Sequence, residues 1–515
     1  MLQRLGLLVF AAIVFGPLLA LLVDSAQSLL DGNAEWLKLA IPTGRRLTLF
    51  LRSIGLAASV AVAGMILGVL AASILWRWHS GLGSRLRWLV LVLAPIPPYV
   101  HALAWSSAIG TTTSPLLDGW ISAWWVQLMA LAPIAVGLAL IGLESVDPAL
   151  INAARPARSD IGTLARVALP LAWPIIAAGG GFLFLLSLMD YSVPSLFQMN
   201  VYSLEIFAEY SASNEAARSF LLSVPLLIVA VAVVFLAQYG LRNVAQKPAW
   251  RVSAWESPPA WPTWFVCLQW LAGGILVAQI AVPLVCLIAD VDSWQNMTSS
   301  VTSARSEIGF SFLVASVAAV ICLPLALAVG RRLVQTDKRG KVWWFLVIAP
   351  LAIPAPLIGI GLISIWNRPM FVDVYGSSAM PVLASLARFA SLAAIVMVAQ
   401  LRRNDPLLID AARLLQRSSL QTWIWIRLPL LAPGLLAAAG IVFALTMGEL
   451  GATLLVAPPG QATLTMRIYN FLHYGASSDV AGLCLMMVAI AMAAGLLAAV
   501  TLSAWSRFSP RAGVR

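Results

Sequence analysis

Long apolar runs separated by short polar segments dominate the hydropathy pattern of this chain. Each run has about 20 residues or more, the length that an α-helix needs to cross roughly 30 Å of hydrocarbon. The pattern therefore predicts an all-α polytopic membrane protein with about twelve membrane-spanning helices, six in each half. The predicted spans are 5–23, 49–75, 88–108, 121–143, 171–193 and 219–240 in the first half, and 263–289, 306–330, 342–366, 381–401, 430–456 and 479–504 in the second.

One polar segment between predicted helices occurs twice. Residues 147–155 have the sequence Asp-Pro-Ala-Leu-Ile-Asn-Ala-Ala-Arg, and residues 405–413 have Asp-Pro-Leu-Leu-Ile-Asp-Ala-Ala-Arg. Each copy is followed by a short basic segment and then by Leu-Pro-Leu, at 169–171 and 428–430. The two copies of the segment lie 258 residues apart, and the two Leu-Pro-Leu sequences lie 259 residues apart. This nearly constant separation predicts a parallel tandem repeat, with two six-helix units packed about a pseudo-twofold axis along the membrane normal.

The repeat also sets the predicted domain boundaries. We predict a first unit at 1–245, a cytoplasmic linker at 246–262 and a second unit at 263–515. None of the segments between the apolar runs is long enough to fold as a separate domain, so the two units account for the whole predicted organisation.

Composition and charge support a membrane protein and indicate its orientation. Only 10% of the residues are charged and 61% are hydrophobic, which excludes an ordinary soluble protein despite the net charge of +11. The basic residues are spread over short segments between apolar runs, so the lipid bilayer is the predicted partner and nucleic acid is not. With the N-terminus inside, the cytoplasmic segments hold most of the 32 lysines and arginines. The positive-inside rule therefore predicts that both termini are cytoplasmic.

Cysteine and histidine give no recognisable metal-binding pattern. The four cysteines lie within apolar runs, and the three histidines are far apart in sequence. We interpret the cysteines as small buried apolar residues. The sequence predicts no metal, no cofactor and no catalytic group.

The repeated polar segments predict short helices on the cytoplasmic side. Asp147 and Asp405 are favourable helix N-caps, and the proline after each suits the first helical position. Each helix then carries two adjacent alanines, at 153–154 and 411–412. Small side chains let another surface approach the helix backbone closely, so we predict that these helices contact a cytoplasmic protein. The alternative is an ordinary loop helix that only links two spans.

These segments resemble the cytoplasmic loop of binding-protein-dependent ABC importer permeases, which has Glu-Ala-Ala, then three residues, then a glycine, and Leu-Pro further on. The second copy matches this spacing, with Asp410 in place of the glutamate, Gln416 in place of the glycine and Leu428 before the proline. The first copy has Asn152 in place of the glutamate and is one residue shorter before its Leu-Pro. Neither copy has the glutamate or the glycine of the family. The resemblance covers nearly the whole chain, because two permease units fused in tandem also account for twelve spans.

The resemblance implies two type I ABC importer permease repeats and a translocation subunit that is not an enzyme. It implies, as partners in a bacterial inner membrane, two copies of a cytoplasmic ABC ATPase subunit and an extracytoplasmic substrate-binding protein. The chain has no phosphate-binding Gly-x-x-x-x-Gly-Lys-Ser/Thr loop, because Gly340-Lys341 is followed by Val342. ATP would therefore be bound by a separate protein. The residues implied to couple transport to the ATPases are Asp147, Asn152, Ala153, Ala154, Arg155, Leu169 and Pro170 in the first copy, and Asp405, Asp410, Ala411, Ala412, Arg413, Leu428 and Pro429 in the second.

Two acidic residues, Asp190 and Glu449, lie at equivalent positions near the outer ends of the helices that follow Leu-Pro. A carboxylate within or near hydrocarbon is costly and usually faces a cavity or a partner. We predict that Asp190, its neighbour Tyr191 and Glu449 lie along the pathway or at its outer mouth, with a structural ion pair or an interfacial acid as the alternative. Arg388 lies at comparable depth in the tenth predicted span. It is predicted to pair with Glu449 or else to meet an anionic group.

The residues around the second acid suggest a solute. Pro97-Pro98-Tyr99, together with residues 449–454 followed by Ala-Pro-Pro-Gly at 457–460, most resemble the ferric-iron permeases. Ferric iron is therefore the predicted solute, and similar permeases for thiamine, phosphonate and polyamine give the alternatives.

Two other protein classes are less well supported. A proton-coupled secondary transporter with twelve helices would have a signature loop between its second and third spans, where residues 76–87 show no convincing pattern. A polytopic membrane enzyme would need a cluster of His, Asp and Glu near one membrane face, and the sequence has none.

Overall fold

The computed structural model describes residues 2–77, 92, 96–109, 119–246, 259–291, 293–335, 340–403, 419–473 and 478–508. Along these ranges the chain folds into α-helices joined by turns, with short 3₁₀ and π turns at some helix ends. The predicted all-α polytopic class is confirmed.

The main helices follow the same order in the two halves, and further α-helices, left unlabelled, lie at Asp160–Thr163, Trp294–Ser303, Val372–Tyr375 and Ser419–Thr422. Those of the first half are α1 (Leu2–Leu30), α2 (Arg45–Arg77), α3 (Pro98–Ile109), α4 (Trp120–Glu144), α5 (Pro148–Ala154), α6 (Leu169–Met189), α7 (Ser192–Leu196), α8 (Tyr202–Ser213) and α9 (Ala216–Gln246). Those of the second half are α10 (Thr263–Asp290), α11 (Arg305–Val334), α12 (Gly340–Ile348), α13 (Ala355–Trp366), α14 (Ala379–Arg403), α15 (Leu428–Met447), α16 (Thr453–Val456), α17 (Leu464–His473) and α18 (Ser478–Phe508). Helices α4 and α14 have 25 residues each, and α9 and α18 have 31 each.

Ten of the described helical segments are long and apolar enough to cross a membrane, and one bent pair would make an eleventh. In that pair the segments Gly340–Ala352 and Ala355–Trp366 meet at 96°, so the predicted span 342–366 consists of two helices and not of one continuous helix. Pro354 offers no N–H to continue the first segment, and Ile353 before it is extended (φ −88°, ψ 125°). The predicted span 88–108 lies mostly outside the described residues, so the count of twelve stays a prediction.

Two helices end earlier than hydropathy predicts. Helix α6 ends at Met189 and α15 at Met447, whereas the predicted spans continued to 193 and 456. The backbone turns at Asp190, which is extended, and at Gly448, and the short helices α7 and α16 follow. Apolar residues beyond each turn prolong the hydrophobic run without prolonging the helix. Both acids predicted for the pathway therefore lie in breaks between two helices.

The first helix of each half packs mainly on the other half. Helix α1 contacts α11, α13 and α14, and α10 contacts α2, α3 and α4. Each first helix also touches the last helix of its own half, α9 for α1 and α18 for α10. Gly361 of α13 allows the close approach of α1, because a Cβ at this position would collide with the backbone of Pro17. The packing of each first helix on the other half therefore holds the two halves together.

An ion pair ties the second helix of each half to the short helix that precedes the last one, and the two pairs have opposite polarity. In the first half Arg45 of α2 pairs with Glu205 of α8 at 2.7 Å. In the second half Glu307 of α11 pairs with Arg467 of α17 at 2.5 Å. Glu205 and Arg467 occupy the same position in their short helices, so the acid and the base have changed places.

Serine side chains support the same two helix contacts. The Ser53 hydroxyl accepts the backbone N–H of Tyr202 at 2.8 Å, and the Ser311 hydroxyl accepts that of Leu464 at the same distance. Both bonds are buried, so each satisfies an amide at the start of a short helix that has no partner within that helix.

A π turn precedes each Leu-Pro, at Leu164–Ala168 and Trp423–Arg427. In both turns the amide of the leucine before the proline donates to the carbonyl five residues back. The proline itself has no N–H to continue the ordinary helical ladder, and the wider turn accommodates it. The segments that carry the repeated motif thus join α6 and α15 through equivalent joints.

Candidate functional site

A cavity of about 230 Å³ lies between the two halves. Its wall consists of corresponding parts of both: the region at the start of α3 and of α13, one face of α4 and of α14, and the ends of α6 and α15 with the breaks that follow them. Most of the lining side chains are apolar. Because each half supplies the same elements, the cavity has two similar walls with one acid in each.

All four residues predicted for the pathway line this cavity: Asp190, Tyr191, Arg388 and Glu449. Among the described lining residues, Asp190, Arg388 and Glu449 are the charged ones. The sequence prediction therefore selected residues that the fold brings together around one space. Their polar contacts, however, differ between the two walls.

Asp190 is held by neutral hydrogen-bond donors. Its Oδ1 accepts the Ser192 amide at 3.0 Å and the Ser192 hydroxyl at 2.6 Å, and its Oδ2 accepts the Gln127 side-chain amide at 3.1 Å. No Lys, Arg or His within the described ranges forms an ion pair with it. The hydrogen bonds to this carboxyl group thus come from neutral, dipolar groups.

Gln127, which the sequence analysis missed, orients this carboxylate. It lies in α4, is 1% exposed, and accepts a hydrogen bond from the Ser187 hydroxyl while donating to Asp190. A lone amide side chain inside an apolar span was a visible signal. The residue carries no charge, however, so the rarity of ionisable groups at membrane depth does not mark it.

The other acid, Glu449, is neutralised by Arg388. The Arg388 guanidinium forms an ion pair with Oε2 of Glu449, and Oε1 accepts the Ala452 amide at 2.7 Å. The Glu449 residue is 3% exposed. The predicted pairing is confirmed, and it joins α14 to the break after α15. The Arg388 guanidinium also lies 5.1 Å from the centre of the Phe389 ring.

Tyr191 follows Asp190 and approaches the break that holds Glu449, since a Cβ built at Gly451 would lie 3.5 Å from its ring and 3.7 Å from Oε1 of Glu449. Its ring stacks on that of Phe207, with centroids 6.2 Å apart and planes inclined by 16°. The residue is 3% exposed, and its hydroxyl has no hydrogen-bond partner among the described residues. The site thus contains a buried phenol whose donor and acceptor capacity is unused.

The first copy of the repeated motif forms the predicted short helix α5. Asp147 caps it by accepting the Ala149 amide at 2.9 Å, and Pro148 occupies the first helical position. Ile151 is fully buried and anchors the helix. Ala153 is exposed, whereas Asn152, Ala154 and Arg155 are partly buried. The helix therefore presents a small residue at its surface.

Asp160, which the sequence analysis did not single out, fixes the end of this segment. It pairs with the Arg155 side chain at 2.8 Å and accepts the backbone N–H of Ala260 at 2.5 Å. Ala260 lies just before α10. One carboxylate therefore ties the segment after α5 to the beginning of the second half.

The second copy of the motif lies outside the described residues: Asp405, Asp410, Ala411, Ala412 and Arg413. Its Leu428 and Pro429 are described and begin α15, as Leu169 and Pro170 begin α6. The correspondence is therefore visible from the π turns onward.

Known proteins similar to this chain are transport system permeases. The chain is 28% identical over 201 residues to a putative 2-aminoethylphosphonate transport system permease protein, PhnV, of Salmonella typhimurium, covering 39% of this chain and 71% of that protein. It is 30% identical over 252 residues to the molybdenum transport system permease protein ModB of Mycobacterium tuberculosis, covering 45% and 92%. It is 24% identical over 371 residues to the ferric transport system permease protein FbpB of Actinobacillus pleuropneumoniae, covering 68% and 54%. No family model matches the chain.

Proposed function

The chain belongs to the family of ABC importer permeases, and we propose that it is the complete translocation pathway of one importer, built from two permease units fused in tandem. The observation that carries this proposal is the cavity to which both halves contribute the same elements. The equal order and similar lengths of the helices in the two halves also support the proposal.

The motor of this importer is proposed to be a separate ATPase, present in two copies, one for each repeated segment. The exposed Ala153 on α5 supports this assignment, since a small side chain leaves room for a partner's surface. The coupling role is extended to the second segment, around Ala412, by sequence equivalence alone. With both termini cytoplasmic, both segments face the ATPases, and an extracytoplasmic binding protein delivers the solute to the opposite face of a bacterial inner membrane.

Ferric iron is the proposed solute. The alignment with the ferric permease covers 68% of this chain, and the charged residues of the cavity are two carboxylates and one guanidinium. Thiamine, phosphonate and polyamine are the alternative solutes, and the relatives for phosphonate and molybdenum keep an anionic solute as an outcome of the test.

Reconstitution tests the assignment. The purified chain in proteoliposomes should hydrolyse no ATP, and uptake should appear only when the ATPase and the binding protein that co-purify from native membranes are added. ATP hydrolysis by the single chain would contradict the assignment. Uptake driven by a proton gradient without ATP would instead identify a secondary transporter.

A further inference from the structure

The acids in the two walls of the cavity have different polar partners. Glu449 shares its charge with Arg388, whereas Asp190 is bound only by the Ser192 and Gln127 donors. The charged residues among those described at the wall are these three. The wall thus has two carboxyl groups and one guanidinium, and the guanidinium forms its ion pair with the acid of the second half.

Retaining an uncompensated carboxylate in an apolar surrounding is costly. Neutral donors stabilise such a charge only in part, because they supply dipoles but no counter-charge. A cation that enters the cavity would remove this cost. The arrangement therefore favours a positively charged occupant near Asp190.

Tyr191 supplies an independent indication of a ligand at the same place. Its hydroxyl is buried in the cavity wall and has no partner within the described structure. Buried hydroxyls in folded proteins are nearly always hydrogen-bonded. The phenol follows Asp190 in the chain and also lies close to Gly451 and Glu449 in the opposite wall. A solute that entered the cavity could supply the hydrogen-bond partner that this hydroxyl lacks among the described residues.

We propose that the Asp190 carboxylate and the Tyr191 hydroxyl form a contact site for a cationic solute as it crosses the cavity, an inference that rests on the proposed import function. Ferric ion and a polyamine ammonium group share the required chemistry, since both bind carboxylate and hydroxyl oxygens. An anionic solute would need a free cation at the wall, and Arg388 is already bound by Glu449.

The test measures ATP-driven uptake in proteoliposomes that contain the complete importer, with radiolabelled Fe³⁺, putrescine and molybdate as separate probes. Asp190→Asn keeps hydrogen-bond acceptor capacity toward Ser192 but removes the charge, whereas Asp190→Glu keeps the charge but changes the local geometry. Tyr191→Phe removes only the hydroxyl. The matched controls are Asp373→Asn and Tyr375→Phe, since both residues belong to one short helix, Val372–Tyr375, that does not line the cavity.

We expect Asp190→Asn to slow uptake of the cation about tenfold, the effect of losing one hydrogen bond to a charged group. Asp190→Glu should retain more uptake than Asp190→Asn, and Tyr191→Phe should slow it about threefold. Both controls should transport at the wild-type rate, and all variants should keep the wild-type melting temperature within a few degrees.

Four results would overturn the proposal or its premise, and they are distinguishable. Wild-type uptake by Asp190→Asn would show that the charge contacts no solute. Poorer uptake by Asp190→Glu than by Asp190→Asn would show that Asp190 only shapes the turn between α6 and α7. ATP-driven uptake of molybdate with none of either cation would overturn this inference while leaving the import function intact, whereas no ATP-driven uptake of any probe would remove both.

Discussion

Arg388 of α14 and Glu449, in the break after α15, form an ion pair in the cavity wall, and the glutamate is the more deeply buried partner. The Glu449 side chain is 2% exposed and that of Arg388 is 25% exposed. Removing one partner of a buried pair leaves the other charge without compensation, which costs about 3–5 kcal/mol. The cost should be larger when the charge left behind is that of Glu449, because its side chain has less access to water.

We therefore predict that Arg388→Met lowers the thermal midpoint of the purified chain more than Glu449→Gln does. The glutamine can still accept the Ala452 amide, and the partly exposed Arg388 can still be hydrated. The double variant should regain part of the midpoint lost by Arg388→Met, because it leaves neither charge alone. Equal midpoints in the two single variants, with no recovery in the double, would show that the pair contributes little to stability.

The exposed position on α5 yields a prediction about coupling. Ala153→Trp should reduce solute-stimulated ATP hydrolysis by the assembled importer about tenfold, because the bulky ring would prevent close approach of the ATPase surface. The equivalent change Ala411→Trp should have a similar effect. The chain itself should insert and remain as stable as the wild type, since Ala153 lies at the surface. Stimulated hydrolysis at the wild-type rate in both variants would remove the proposed docking role of these helices.

Asp160 is expected to hold the coupling segment in place. Asp160→Asn removes the ion pair with Arg155 and weakens the bond from the Ala260 amide, a loss of about 1–3 kcal/mol of local stability. Hydrogen exchange measured by mass spectrometry should become faster in 148–163 and in 259–262. The control Asp373→Asn, at an exposed position, should leave both regions unchanged. Faster exchange in only one of the two regions would mean that Asp160 does not connect them.

Because the first helix of each half packs mainly on the other half, we predict that the covalent link between the halves is dispensable. If the chain is expressed as two pieces divided within 247–258, the pieces should co-purify, since α1 packs on the second half and α10 on the first. A second piece that lacks α10 should co-purify with a much lower yield. Separation of the two intact pieces in mild detergent would show that the linker, and not this packing, holds the halves together.

The existence of most helices follows from hydropathy, because a run of about 20 apolar residues has few alternatives in a bilayer. Where a helix stops inside such a run does not follow. Leu450, Leu454 and Val456 continue the apolar run, yet α15 has already ended at Met447. Pro354 is a helix stop signal, but the apolar residues on both sides of it predict one continuous helix. The 96° bend before α13 therefore does not follow from hydropathy.

Apart from Tyr191, the neighbour of Asp190, only the charged residues of the site could be predicted from the sequence. Asp190, Arg388 and Glu449 stand out because ionisable groups are rare at membrane depth, and depth along equivalent helices was enough to predict the ion pair. Gln127 and Ser192 carry no charge, so their part in holding Asp190 depends on the packing of α4 against α6 and on the turn before α7. The hydrogen bond from Ala260 to Asp160 joins residues 100 positions apart, so no local sequence pattern indicates it.

The opposite polarity of the pairs Arg45–Glu205 and Glu307–Arg467 has a consequence for how the chain sorts its own helices during insertion. Since both halves have helices in the same order, α8 has two similar places to settle, beside α2 or beside α11. Against α11, Glu205 would meet Glu307, and against α2, the Arg467 of α17 would meet Arg45. Each wrong choice would bring like charges together. The reversal therefore discriminates between near-identical neighbours, and a duplication that had kept the same charge order in both copies would have lost that discrimination.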